Sequence, residues 1–99
     1  MARPAIHPGE HLADELQELD ISASQLAKEL GIPAKQVTEI LRGRRGISAD
    51  TALRLARWMG TTPQFWMNLQ RNYELRLAEQ QHGEQIRQEV RRRADYEAA

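Results

Sequence analysis

The sequence contains no cysteine, and its aromatic residues are limited to two tryptophans, two tyrosines and one phenylalanine. The absence of cysteine excludes disulfides and thiolate metal sites and fits a reducing compartment. With so few aromatic residues, a core has to be built mostly from leucine, isoleucine, valine and alanine. No apolar run approaches the ~18 residues of a membrane span. The chain also starts without the apolar segment of a secretory signal, so we expect a cytoplasmic protein.

The sequence also lacks a glycine-rich phosphate loop and a nucleophile elbow. We therefore expect no enzymatic activity, no cofactor and no small-molecule substrate. His7, Glu10 and His11 have the spacing of an inverted zinc-protease motif. Pro8 and Gly9 interrupt the helix that this motif requires, and no third ligand is evident. The segment is better interpreted as the entry into a helix, and we expect no metal site.

The net charge at pH 7 is zero, but the charges are unevenly distributed along the chain. Residues 1–31 carry two basic and six acidic side chains, whereas residues 32–57 carry six basic and two acidic ones. The charges of residues 58–99 balance. Because a polyanion responds to the local potential of one face, the middle segment favours a nucleic-acid-binding surface. A chance cluster on a solvated surface is the alternative.

Apolar side chains recur at helical spacing, and cap residues divide them into segments. A first helix is predicted from about Gly9 to Leu19. Ser22 and Gln25 form a capping box at the start of a second helix, and Gly31 follows where that helix ends in a left-handed residue. The later boundaries are predicted at Pro33, Gly43, Ser48, Gly60 and Thr62–Pro63.

The fifth helix begins near Pro63 and is predicted to fray near His82–Gly83. The following stretch, Glu84 to Glu97, is too polar to form a stable helix alone and needs a partner. The pattern therefore predicts an all-α fold with one five-helix domain over residues 1–82 and a C-terminal helical tail over residues 83–99.

The second and third helices have the features of a helix-turn-helix. Ala27 is a small residue that lets two helices cross at close range, Gly31 makes the turn, and Val37 fills the angle between the helices. This combination holds the second helix of the pair rigidly away from the body of the domain. An ordinary helical hairpin in a bundle is the alternative.

The third helix is predicted to present its start to a DNA major groove. With Val37, Ile40 and Leu41 directed inward, the opposite side of the helix is polar. Lysine donates to guanine, and glutamine pairs with adenine, in the major groove. We predict base contacts from Ala34, Lys35, Gln36, Thr38 and Glu39. For Glu39, an ion pair with Lys35 one turn earlier is an equal alternative.

Phosphate contacts are predicted on both sides of that helix. The arginines that follow it lie where the helix leaves the groove, and the start of the second helix offers backbone N–H groups to a phosphate. The predicted phosphate-contacting residues are Ser24, Gln25, Arg42, Arg44 and Arg45. A solvated loop is the alternative for the arginines.

The fifth helix carries an apolar stripe that extends past the length the core can cover. We predict a dimer interface from this stripe, comprising Trp66, Leu69, Tyr73 and Leu77. Trp66 has the alternative of completing the core. A dimer would place two recognition helices about one DNA turn, roughly 34 Å, apart on a palindrome.

Residues 22–43 resemble the phage-repressor-like (XRE) helix-turn-helix class. A longer stretch, about Ile6 to Leu77, resembles the HigA-type antitoxin family, which is related to the group called virulence-associated protein I. The longer match is carried by His7-Pro8-Gly9-Glu10, Arg45-Gly46-Ile47-Ser48, Thr51-Ala52-Leu53-Arg54-Leu55-Ala56 and Phe65-Trp66-Met67-Asn68-Leu69-Gln70. The resemblance implies a five-helix lambda-repressor-like domain, a homodimer, and an antitoxin that binds a HigB-like, RNA-cleaving toxin and represses its own operon.

Two residues depart from the wider class. Ala23 and Ala34 stand at positions where many repressors have a DNA-contacting glutamine, so the operator preferences of the family are not transferred. The predicted function is sequence-specific binding of double-stranded operator DNA by the antitoxin of a toxin–antitoxin pair. The alternatives are a stand-alone transcription regulator without a toxin and a protein-interaction module that has lost DNA binding.

Overall fold

The computed structural model describes residues 4–98, and side chains as far as Asp95. Residues 1–3 of the predicted domain and residue 99 of the predicted tail lie outside this range. The described chain is all-helical. Its helices are α1 (Pro8–Leu19), α2 (Ala23–Leu30), α3 (Ala34–Leu41), α4 (Ala49–Met59), α5 (Pro63–Glu89) and a short α6 (Arg93–Ala98).

Local capping accounts for most of the helix boundaries. The Ser22 hydroxyl accepts the Gln25 N–H at 3.1 Å, and the Gln25 side chain accepts the Ser22 N–H at 2.7 Å, which completes the predicted capping box of α2. At the starts of α4 and α5, the Ser48 and Thr62 hydroxyls accept the N–H groups of Thr51 and Phe65, each as a single cap bond. Gly31 and Gly60 adopt positive φ at the ends of α2 and α4, as predicted.

The α1 N-terminus packs directly against the end of α3. His7 caps α1, and its Nδ1 accepts the Gly9 N–H at 2.9 Å. A Cβ on Gly9 would lie 2.0 Å from the Ile40 carbonyl oxygen, so only a glycine fits between the two backbones. This contact sets the position of α1 against the C-terminal turn of α3.

The core lies between α1, the α2–α3 pair, α4 and the first half of α5. Trp66 is the largest of its fully buried side chains, and its indole N–H donates to the Thr61 hydroxyl at 3.1 Å. The remaining core is aliphatic, as the composition predicted, and comprises Leu12, Leu16, Leu26, Ala27, Leu30, Val37, Ile40, Ile47, Ala52 and Leu55.

Helix α5 is longer than predicted. It runs for 27 residues, about 40 Å, without a break at His82–Gly83. Arg87 pairs with Glu79 across the glycine and with Glu84 on its own side of it. A pair three residues apart, such as Glu84 and Arg87, supports an exposed helix. The prediction of fraying at this position is therefore wrong, and regular helix ends instead at Glu89, before Arg93 begins α6. The division of the chain into domain and tail at residue 82 stays a prediction.

Across residues 4–98, no helix combines the length and apolar character needed to cross a membrane.

His7 predicts a pH dependence of stability. Burial lowers the pKa of His7 from its ordinary value of 6.5, although the Glu10 carboxylate and a backbone hydrogen bond with Arg45 partly oppose this. Because the folded state disfavours the proton, the contribution of His7 to stability is fully present above pH 6.5 and is lost as the pH falls through the lowered pKa. We expect the urea midpoint to fall between about pH 7 and pH 5.

The matched control for this prediction is His7→Asn, since asparagine also caps a helix but does not titrate. Other groups contribute to the pH dependence in both proteins, so the quantity of interest is the difference between the two profiles. A profile of His7→Asn that coincides with that of the wild type would contradict the prediction.

Candidate DNA-binding surface

Helix α3 is held by one face and presents the other to solvent. Val37 and Ile40 are fully buried, and Leu41 is half-buried against the same core. The main packing partners of α3 are α2 and α1. Lys35 and Arg42 are exposed on the opposite side. Both side chains are therefore accessible to a ligand.

The predicted base-contacting residues fall into two groups. Ala34 and Lys35 are exposed at the start of α3, which begins one residue after Pro33. Gln36 and Thr38 are half-buried and already make hydrogen bonds. The Gln36 side-chain amide donates to the hydroxyl of Thr51 at 3.1 Å, and the Thr38 hydroxyl donates to the Ala34 carbonyl at 3.0 Å. Any base contact from Gln36 therefore has to use its remaining atoms or give up its tie to α4.

Glu39, the fifth predicted base contact, pairs across the loop rather than along the helix. Its carboxylate lies 3.2 Å from the Arg45 guanidinium, whereas the sequence offered Lys35 as the alternative partner. The Arg45 side chain is 48% exposed, and a pair this exposed contributes little to stability. A phosphate can therefore compete for Arg45 at small cost, while Glu39 keeps Arg45 beside the recognition helix.

The segment between α3 and α4 forms a basic loop, which we define as Arg42–Ile47. Arg42, Arg44 and Arg45 are exposed in it. Its first turn is closed by Gly43 at φ 73° and by the Arg44 N–H, which donates to the Glu39 carbonyl at 2.8 Å. The three predicted phosphate-contacting arginines thus lie together at the end of the recognition helix.

At the start of α2, the structure changes one detail of the phosphate prediction. The N–H of Gln25 is taken by the Ser22 hydroxyl, and the Gln25 side chain is used in return. The expectation that Gln25 offers a free N–H is therefore wrong, because the capping box consumes it. Ser24, one residue earlier, is exposed in the first turn and remains the candidate there.

Gln70 was not predicted, yet it joins α5 to the basic loop. It is 7% exposed, and its side-chain oxygen accepts the Ile47 N–H at 2.8 Å. The signal available in the sequence was its place on an apolar stripe, four residues after Trp66 and three before Tyr73. A polar residue on such a stripe needs a buried partner.

The predicted dimer stripe on α5 is partly used inside the monomer. Trp66 is 1% exposed, so its side chain belongs to the core, and it is removed from the predicted interface. Leu69, Tyr73 and Leu77 are half-buried. Tyr73 meets the His7 ring edge-on, with the ring centroids 4.8 Å apart. These three side chains remain the predicted dimer surface.

Comparison with known proteins agrees with this geometry. Residues 12–66 match the helix-turn-helix family model. The chain is 51% identical to virulence-associated protein I of Dichelobacter nodosus, over 78% of this chain and 72% of that protein. The structure of an addiction module antidote protein of the HigA family from Coxiella burnetii superposes with a TM-score of 0.89 at 55% identity, covering 91% of this chain and 99% of that one.

A further relative has been solved together with DNA. The Pseudomonas aeruginosa antitoxin HigA with the higBA promoter superposes with a TM-score of 0.86 at 51% identity, covering 88% of this chain and 96% of that one. The helix-turn-helix match spans more than half of the chain, and the two HigA structures are matched over almost their whole length. The chain therefore belongs to the helix-turn-helix family and, within it, to the HigA-type antitoxins.

Proposed function

We propose that this chain is the DNA-binding antitoxin of a toxin–antitoxin pair, which represses its own operon from the cytoplasm and binds a small RNA-cleaving toxin. The observation that carries the proposal is the α3 surface, on which exposed Lys35 and Arg42 lie beside the basic loop. The Pseudomonas aeruginosa relative was solved with its promoter, which supports operator DNA as the ligand. This role requires binding alone and no catalytic step.

In the proposed complex, α3 enters the major groove and the basic loop contacts the flanking phosphates. Lys35 donates to a base at the start of the helix, whereas Arg42, Arg44 and Arg45 neutralise phosphates where the helix leaves the groove. The N-terminus of α2, at Ser24, faces another phosphate. Leu69, Tyr73 and Leu77 join two copies, so that two α3 helices about one turn of DNA apart read the two halves of a palindrome.

The proposal is tested with the DNA upstream of the chain's own gene and with the product of the neighbouring gene. We expect a gel shift with the upstream fragment at a concentration that leaves an unrelated fragment of equal length unbound. We also expect the neighbouring product to co-purify with the chain when both are expressed together. A shift without co-purification would indicate a stand-alone regulator, and co-purification without a shift would indicate an interaction module that has lost DNA binding.

Arg44→Ala is expected to weaken binding on every DNA sequence alike. Because Arg44 is exposed in the basic loop, its removal deletes one phosphate contact and no base contact. The slope of log K against log salt concentration should become flatter by about one unit. Fluorescence anisotropy over a series of salt concentrations measures this slope. Arg87→Ala, which removes a distal arginine of α5, is the control and should leave the slope unchanged. A change in sequence preference with an unaltered slope would contradict the assignment of Arg44 to a phosphate.

A further inference from the structure

The basic loop carries the arginines that contact phosphates in the proposed function. Its first half is held by two bonds: the Arg44 N–H donates to the Glu39 carbonyl, and the Arg45 backbone is hydrogen-bonded to His7. The pair between Arg45 and Glu39 is exposed, and Arg42 and Arg44 project into solvent. Glycines stand at 43 and 46, and glycine is the residue with the most backbone freedom to lose. Beyond Arg45, at Gly46 and Ile47, the loop backbone is contacted from α5.

Gln70, on α5, is hydrogen-bonded to the end of the loop. Its oxygen accepts the Ile47 N–H at 2.8 Å, and its nitrogen donates to the Glu74 carboxylate at 3.0 Å. Glu74 thereby orients the amide so that the oxygen is directed at Ile47. The bond lies in the interior, because Ile47 is 3% and Gln70 is 7% exposed.

Gly46 fits the Gln70 side chain closely. A Cβ on Gly46 would lie 2.7 Å from the nitrogen and 2.9 Å from the oxygen of the Gln70 amide. The loop backbone therefore passes directly over this amide, one residue after Arg45. The end of the loop, just beyond the arginines, is therefore held by a contact that neither helix of the helix-turn-helix supplies.

We propose that Gln70 is a positioning residue for DNA binding, which holds the basic loop against α5 so that Arg44 and Arg45 meet the phosphates beside the recognition helix. The inference rests on the operator binding proposed above. Gln70 itself touches no DNA in this arrangement. Without the Gln70 side chain, the loop is mobile in the free protein. Binding of the arginines to phosphates then has to order the loop, and the lost conformational entropy weakens the affinity for DNA.

The experiment compares variants that break and restore the bond. Gln70→Ala leaves the Ile47 N–H without its partner, and we expect Kd for the upstream fragment to rise about tenfold at ~0.15 M salt. The salt slope should fall by one to two units, roughly the number of loop arginines no longer held. Gln70→Glu keeps an acceptor for Ile47 but places a carboxylate against Glu74. The double variant Q70E/E74Q restores a donor–acceptor pair at unchanged net charge and should return Kd to within about twofold of the wild type.

Gln85→Ala is the matched control, because Gln85 also donates to a glutamate four residues later on α5, at 2.9 Å, but contacts no loop. It should bind DNA as the wild type does. All measurements are made at a temperature at which circular dichroism shows each variant to be folded. If Gln70→Ala does not fold, the comparison of Q70E with Q70E/E74Q carries the test alone.

The outcomes separate the inference from the function on which it rests. If the wild type fails to bind the upstream fragment, the proposed function is wrong and the role of Gln70 falls with it. If the wild type binds and folded Gln70→Ala keeps its affinity and salt slope, the positioning role alone is overturned. Failure of Q70E/E74Q to recover binding relative to Q70E would overturn it as well.

Discussion

Replacing Gly9 with alanine is expected to lower the free energy of unfolding by about 3 kcal/mol or more. The added Cβ would lie 2.0 Å from the Ile40 carbonyl oxygen and 2.9 Å from its carbon. Both are backbone atoms of α3, so no side-chain rotation relieves the collision. Helix α1 has to move away from the end of the recognition helix, which loosens the core to which the fully buried Leu12 and Ile40 belong. Urea denaturation followed by circular dichroism measures the loss.

Gly83→Ala is the control that separates this collision from a general effect of replacing glycine. Its Cβ would also meet close neighbours, but these are the carboxylate atoms of Glu79, at the end of a flexible side chain. Because alanine favours a helix over glycine by about 1 kcal/mol, Gly83→Ala should be neutral or stabilising. Equal losses in the two variants, or a Gly9→Ala protein as stable as the wild type, would contradict the tight contact between α1 and α3.

Lys35→Ala is expected to cost 10- to 100-fold in affinity for the operator, equivalent to ~1–3 kcal/mol, and to relax the preference for one base pair. Lys35 is exposed at the start of α3, where the helix enters the groove. A lysine that donates to guanine distinguishes that base from the others, so the loss should be large on the operator and small on unrelated DNA. Binding to a set of operators, each changed at one position, measures the preference.

Lys28→Ala is the matched control for this experiment. The chain has two lysines, and Lys28 is the other one. It is exposed in the last turn of α2, away from the start of α3. Its removal changes the net charge by the same amount and should leave the base preference intact. An equal loss of affinity on all sequences for Lys35→Ala would reassign Lys35 to a phosphate.

The helices that the sequence predicted well are those whose ends depend on neighbouring residues. The capping box of Ser22 and Gln25, the cap at Ser48 and the left-handed glycines at 31 and 60 each act within a few residues, and each is found as predicted. The break expected at Gly83 did not appear. There, one glycine weakens a helix by only about 1 kcal/mol relative to alanine, and the helix continues through it.

The site was predicted less completely, because its residues also bind to distant parts of the chain. The amide of Gln36 is tied to Thr51, and Glu39 pairs with Arg45 instead of Lys35. Trp66 turned out to belong to the core. None of these partners can be identified from helical periodicity, which reports only which face of a helix is apolar.

The helical class, most helix ends, the aliphatic core and the basic face of the third helix were predictable from the sequence, because periodicity, caps and charge are local properties. The contacts that support this face became visible only in the folded chain. Three residues outside the helix-turn-helix make these contacts. Gly9 packs against the end of α3 at Ile40. His7 is hydrogen-bonded to the backbone of Arg45, and Gln70 accepts the Ile47 N–H, so both contact the basic loop. These contacts form because α1 and α5 pack onto the same core. Helical periodicity and cap residues in the sequence do not predict which distant helices come into contact.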